Sequence, residues 1–363
     1  MNRDLDLLIS FLQPIKELLL DDTVSEIMGN PNGQWWFERK GRLEHAEIIF
    51  DAKALRTGLE VIANKLSRKL DEAHPLLNAQ LPDGSRLAAV LPPVVRPNPA
   101  VTIRKFSKVR FTITDLIQTG AMSTEIGDML SGYIEAGKTM LISGGTGSGK
   151  TTLLNALADF IPEGERIVVI EDTSELRIGK PNLLASECQT ESHTGTVSFN
   201  DLLRAALRWR PDRIILGEVR GEEARTLLDS FNTGHAGSMA TIHASSAVKA
   251  LRRFGELAMR SHQQSNRDDI SAEIAETVQI VAQVGRFASG RKVSEIIAVR
   301  GYDRAAKQFM YDTIFDLARE REVAAVHHPR DHRCGACDSR TYAARPEYRR
   351  AGSAQRTSCS PCQ

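Results

Sequence analysis

The chain has no apolar run of about 18 residues, the length a membrane-spanning helix needs, so nothing in its 363 residues reads as a transmembrane segment. Formal net charge is only +1, and no global field favours nucleic acid or an acidic partner. Cysteine is scarce. Up to residue 333 there is one, Cys188, as expected of a protein kept in a reducing cytoplasm. The opening MNRDLDLLISFLQPIKELLLDD is apolar at helical spacing but studded with acids and interrupted by Pro14. It lacks a basic start followed by a small-residue cleavage site, so no signal peptide is expected. Residues 327–363 contain no Leu, Ile, Val, Met, Phe or Trp and cannot build a core. Seven arginines against three acids give this stretch a net charge of +4, and it reads as a basic, disordered tail.

What is present is organised around KTMLISGGTGSGKTTLLNALADFI, residues 138–161. Thr139–Ser143 has strand length, and Gly144 to Thr151 fits the phosphate-loop pattern GxxxxGK[ST]. Leu153, Leu154, Ala156, Leu157 and Phe160 then follow at helical spacing. Gly144, Gly145, Gly147 and Gly149 let the backbone curl with its N–H groups inward, where side chains would block a phosphate. The new helix aims its positive dipole end at the same spot. Lys150 can reach the β- and γ-phosphates, and the Thr151 hydroxyl can ligate Mg2+. The full cradle is Gly144, Gly145, Thr146, Gly147, Ser148, Gly149, Lys150, Thr151 and Thr152. A Gly-rich turn without a ligand is the alternative, and strand, loop and helix in register argue against it.

Length and hydrophobic patterning predict two domains. Residues 1–106 read as an α+β domain. It has a helix over 4–20, a strand at Val24–Met28, a hairpin within Gln34–Phe50 and a helix over 52–70. LPDGSRLAAVLPP then turns at Asp83-Gly84 between two strands, and VTIRKF (101–106) is another. Residues 107–112 read as a linker and 113–326 as the second domain. There, helices at Thr114–Thr119 and Thr124–Ala136 precede the phosphate-loop strand. RIVVIED (166–172), DRIILGE (212–218) and GSMATIH (237–243) are further strands, with helices at Asn200–Arg210 and Glu222–Asn232. Residues 247–284 read as mainly helical, and 293–300 with 308–315 as a closing strand pair. Strands alternating with helices predict a mostly parallel sheet covered on both faces.

In such sheets ligands bind beyond the carboxyl ends of the strands. RIVVIED ends in Glu171-Asp172 with Glu175 beyond, DRIILGE ends in Glu218, and GSMATIH ends in His243. Glu218 is placed to hold Mg2+ through water and to orient or deprotonate the attacking water. Glu171 can share that work, and His243 can contact the γ-phosphate. Glu175 reads equally as a solvated residue or a helix cap, and His235 or His243, each taken alone, as a satisfied polar residue. Arg204, Arg208 and Arg210 before the Glu218 strand, and Arg86 and Arg104 in the first domain, are candidates for neutralising charge on the γ-phosphate.

GGTGSGKTT (144–152), VVIEDTSEL (168–176), RPDRIILGEVRGEEA (210–224) and TGHAGSMATIHA (233–244) resemble, in order and spacing, the Walker A, Asp, Walker B and His boxes of secretion ATPases. That is the type II/type IV secretion superfamily, which includes pilus motors. LPDGSRLAAVLPP and VTIRKF resemble the segments before the ATPase core in its VirB-type, CpaF and TrbB branch. IMGNPNGQWWFERKGRL looks most like the TrbB conjugal-transfer ATPases, and the resemblance covers about residues 20–315. It implies an α/β fold: a RecA-like P-loop ATPase domain with a mostly parallel sheet, preceded by a smaller α+β N-terminal domain. It implies ATP and Mg2+ at Lys150 and Thr151, with Glu218 as Walker B glutamate, Glu171 as Asp-box acid and His243 as His-box histidine. It assigns Arg86 and Arg104 to first-domain positions that approach the nucleotide, and Arg208 or Arg210 to an inter-subunit finger. It also implies a homohexamer at the cytoplasmic face of the inner membrane, working with membrane components of a secretion or conjugation apparatus.

The tail departs from that branch. Cys334-x-x-Cys337 and Cys359-x-x-Cys362, separated by 21 residues, have a spacing near that of a four-thiolate Zn2+ site. The absence of apolar support argues against a folded module, with His327, His328 and His332 as poor substitutes for a core. A disordered tail with incidental cysteines, or readthrough past the usual end, fits equally. The leading reading is an ATP-hydrolysing motor of conjugative type IV secretion, with a CpaF-like pilus motor as alternative. A ring helicase or recombinase would want a basic, aromatic-studded stripe, which is missing, so no sequence-specific nucleic-acid binding is expected. A non-hydrolysing nucleotide switch is a further class.

Overall fold

A computed structural model describes residues 10–39, 41–106, 110–189, 196–261 and 266–319. The four tail cysteines and the tail histidines lie outside them. A first sheet contains β1 (Val24–Gly29), β2 (Trp35–Arg39), β3 (Arg42–Ala46), β4 (Leu76–Gln80), β5 (Arg86–Val90) and β6 (Ala100–Arg104). Its order is β3-β2-β1-β6-β5-β4, antiparallel throughout. The helix Ala52–Lys65 starts on an Asp51 cap, whose carboxylate accepts from the Ala54 N–H at 2.9 Å. It buries Leu55, Leu59, Ile62 and Ala63 against Trp35, Leu77, Leu87 and Ile103. The helix expected to run to residue 70 stops at Lys65, because Ser67 takes a positive φ of 56°. Of the helix expected over 4–20, the described part is a tight turn at Gln13–Ile15 followed by Lys16–Leu20. Pro14 breaks the regular ladder there.

A second sheet carries the phosphate-loop motif. Its strands are β7 (Met140–Gly144), β8 (Ile167–Glu171), β9 (Leu183–Glu187), β10 (Arg213–Val219), β11 (Met239–Ile242), β12 (Ile280–Phe287), β13 (Gly290–Asp303) and β14 (Gln308–Asp316). The order is β14-β13-β12-β7-β11-β10-β8-β9. Neighbours from β12 to β9 run parallel, and β13 and β14 add an antiparallel end. Strands buried on both faces need continuous apolar sequence. Accordingly Leu141, Val168, Ile170, Ile214, Leu216 and Ala240 pack with the helices at Phe199–Ala206, Glu223–Asn232, Ala247–Ala258 and Arg267–Thr277. Their alternates Met140, Ile142, Val169, Ile215 and Met239 pack with Ile113–Gln118, Thr124–Glu135 and Lys150–Leu157. The sheet is covered on both faces.

Two strands depart from expectation. Residues 247–284 are not helical to the end: after Thr277 the chain enters β12, which sits directly beside β7. β9 was not expected at all. β12 opens on Ile280, Val281 and Ala282 without alternation, the pattern that periodicity cannot separate from a buried helical segment, and β9 (LLASE) has too few apolar residues to show any period. The expected closing pair is present but longer. The helix expected to reach Arg210 ends at Ala206, and Arg210 itself has a positive φ of 55°.

Candidate active site

β7, β8, β10 and β11 point their carboxyl ends at one rim, and the loop after β7 curls there into the helix Lys150–Leu157. Gly149 caps that helix with φ 99°, and Gly147 has φ 68°, backbone that side chains rarely adopt. At Gly144 a Cβ would stand 2.4 Å from both the Val284 carbonyl and Ser148 Oγ. This position therefore requires glycine on contact grounds alone. Ser148 Oγ donates to the Gly145 carbonyl at 2.9 Å, while Gly145, Thr146 and Gly147 are exposed, and Thr151 and Thr152 half-buried.

Lys150 is buried, and its Nζ donates to the carbonyls of Gly144 at 3.2 Å and Gly145 at 2.9 Å. The same nitrogen lies 3.4 Å from His243 Nδ1. On its other side His243 Nε2 meets Glu218 Oε1 at 3.1 Å. Burial, then the Lys150 charge, holds the His243 pKa below its ordinary value. A neutral imidazole accepting at Nδ1 and donating at Nε2 satisfies both contacts. Burial also lowers Lys150, against the pull of Glu218. For Glu218, burial pushes upward, but the Arg220 hydrogen bond and the Arg220, His243 and Lys150 charges hold its carboxylate below the usual range. Lys150, His243 and Glu218, 93 residues apart at the extremes, thus form one chain of contacts.

Glu171 is placed differently. It is 4% exposed, and its Oε1 accepts the N–H groups of Glu175 and Leu176, each at 3.0 Å. Burial raises its pKa to about 7. Gly217 of β10 lets the two strands pass: a Cβ there would sit 3.1 Å from Glu171 Cγ. In this chain Glu171 shapes the segment that follows β8. It is Glu175, at the end of that segment, that meets the first sheet. Its Oε1 lies 3.2 Å from Arg86 and 3.6 Å from Arg104. Those arginines face each other across β5 and β6, and Arg86 also donates to the Thr173 carbonyl at 3.3 Å.

Arg208 and Arg210 are not brought to this rim. Both are exposed at the amino end of β10, opposite the end that carries Glu218. Arg204 is exposed on the preceding helix, and His235 bonds the Ser230 carbonyl at 2.9 Å.

The sequence matches the family described as "Type II/IV secretion system protein" over residues 10–347. The chain belongs to this family. Among similar proteins, the conjugal transfer protein TrbB of Rhizobium radiobacter is 37% identical over 289 residues, 78% of this chain and 86% of its own length. The type IV secretion system protein PtlH of Bordetella pertussis is 36% identical over 307 residues, 76% of this chain and 90% of its own. The Legionella pneumophila ATPase DotB shares the fold with a TM-score of 0.56 at 20% identity, over 85% of this chain and 83% of that one. The pilus retraction motor PilT, solved with bound ADP, does so at 0.55 and 18%, over 90% and 89%.

Within this secretion-family chain, some site residues escaped the sequence reading. Arg220 bridges Glu218 and Asp172, at 2.9 Å to each. Its signal was available: an arginine follows Glu218 by two residues at the end of the strand, within reach of that carboxylate. Arg291 of β13 donates from Nε to the Gly147 carbonyl at 2.9 Å, a contact between residues 144 positions apart. The rim also suits Mg2+. It offers the Thr151 hydroxyl and an ionised Glu218, hard oxygen donors, few in number, which is how Mg2+ is held when phosphates and waters complete its shell. Among the described residues no cluster of three or more His, Cys, Asp or Glu forms a dedicated metal cage. No described helix is long and apolar enough to cross a membrane.

Proposed function

We propose that this chain is an ATPase that binds ATP with Mg2+, hydrolyses it to ADP and phosphate, and drives a conjugative type IV secretion system. The observation that carries this reading is the Lys150–His243–Glu218 contact chain at the phosphate loop. A triphosphate entering the loop meets its N–H groups and the Lys150 amine, which exchanges the Gly144 and Gly145 carbonyls for phosphate oxygens. When bound by Thr151 and, through water, by Glu218, Mg2+ would neutralise charge on the β- and γ-phosphates. Glu218, held ionised, is the group that orients and deprotonates the attacking water. His243 ties that carboxylate to the lysine, so both ends of the site are registered to each other.

Arg86 and Arg104 are close enough to exchange Glu175 for the γ-phosphate. In the proposed division, residues 1–106 and 113–326 are separate domains joined at 107–112, and this exchange swings one against the other. Arg208 and Arg210 precede β10 at its amino end, away from this rim, and in this reading serve the site of a neighbouring copy. That arrangement accords with a homohexamer at the cytoplasmic face of the inner membrane, and the names of the TrbB and PtlH relatives support partners in a conjugation or secretion apparatus.

Two variants test the reading. Lys150→Ala should abolish nucleotide binding. Glu218→Gln should bind ATP normally and lose about 10²–10⁴ in turnover, the range for removing a positioned general base. Unchanged phosphate release by Glu218→Gln would leave only a nucleotide holder.

A further inference from the structure

The segment following His243 is held from the far side of the sheet. Gln283 on β12 is buried, and its Nε2 donates to the Ala244 carbonyl at 3.2 Å. Its cross-strand neighbour on β13, Glu295, accepts from the Ala247 N–H at 2.8 Å, at the start of the helix Ala247–Ala258. Two adjacent side chains of one hairpin thus fix both ends of the four residues that lead from His243 into that helix. On its other side Gln283 is in register with Ser143 of β7, the residue before Gly144. β12 is separated from β11 by β7, so Gln283 reaches across the phosphate-loop strand to grip the strand end that bears His243.

The orientation of the amide follows from chemistry. A carbonyl only accepts, so the nitrogen must face Ala244. That leaves Gln283 Oε1 without a partner, and Ser143 Oγ beside it is unpartnered too. Among the described residues, two of the three buried side-chain polar atoms lacking a bond are at this pair. A buried glutamine that uses one end of its amide and leaves the other unsatisfied costs stability, and its visible return is the hold on Ala244.

We propose that Gln283 is a positioning residue for hydrolysis: it sets His243 between Lys150 and Glu218. This rests on the ATPase reading above. Gln283→Met keeps the chain length and removes the donor. Single-turnover phosphate release should fall about 10- to 100-fold, the loss expected for a displacement of about 1 Å in a catalytic group. KM for ATP should stay within about twofold, because the phosphate loop is untouched. In a His243→Ala background the same substitution should cost nothing further, since the group it positions is gone. Losses that multiply in the double variant, or a raised KM with unchanged turnover, would overturn the proposal. Gln283→Leu serves if the methionine variant misfolds. If the wild-type protein binds ATP yet releases no phosphate, the functional reading fails. Hydrogen exchange at the Ala244–Ala247 amides then decides the positioning claim: faster exchange in Gln283→Met supports it, and an unchanged rate overturns it.

Discussion

Glu171 shows how burial of one carboxyl ties stability to pH. Its folded form keeps a proton up to about pH 7, because burial disfavours the charge, whereas an ordinary carboxyl gives it up near 4.5. Between those values the native state binds more protons than the unfolded chain, so stability falls as pH rises from 4.5 to 7 and stays lowered above. Glu171→Gln retains an oxygen for the Glu175 and Leu176 N–H groups and removes the titration. It should therefore unfold later than wild type at pH 8, by an amount on the order of 2–3 kcal/mol, and show little gain at pH 4.5. Thermal unfolding at the two values checks this. Ser143→Ala offers a second residue-level measure. Its hydroxyl is fully buried without a partner, so its loss should leave the unfolding temperature unchanged or raise it.

At the scale of elements, the strands that carry chemistry were legible, as was the closing pair β13 and β14, whereas β9 and β12 were not. Gly144 to Thr151 announces its own strand and helix because a phosphate cradle demands glycine, lysine and a hydroxyl at fixed spacing. The β10 run Ile214–Leu216 leads through Gly217 to Glu218, and an acid at the carboxyl end of a buried parallel strand is where ligands of such sheets are met. β12 carries no such mark: Ile280–Val284 is apolar except for Gln283, and the preceding helix Arg267–Thr277 makes its continuation look equally plausible. Glu175 was indistinct for another reason. Its partners Arg86 and Arg104 lie more than 70 residues earlier, and no local pattern encodes that meeting. Their register on β5 and β6 yields a prediction: Arg86→Ala should lower kcat/KM for ATP at least tenfold, comparable with other lost charge contacts to a transition state, with unfolding unchanged. Steady-state kinetics alongside a melting curve would separate this from simple destabilisation.

For the whole molecule, Arg208 and Arg210 are exposed and away from the rim that carries Glu218. If they serve a neighbouring copy, then activity must rise with assembly. Sizing chromatography with ATP and Mg2+ should give a species of six chains, and phosphate release per chain should grow with concentration until that species saturates. Arg208→Ala, Arg210→Ala and Glu218→Gln chains mixed in one ring should then partly restore one another, which a self-contained site could not do. The grip of Arg86 and Arg104 on Glu175 has a mechanical corollary. If ATP draws the two arginines of the first sheet from Glu175 to its γ-phosphate, as proposed, nucleotide affinity and the separation of the two sheets become coupled readings of a single equilibrium. On that proposal a load that pulls the first sheet away should loosen the hold on ATP, and ATP should in turn resist that load.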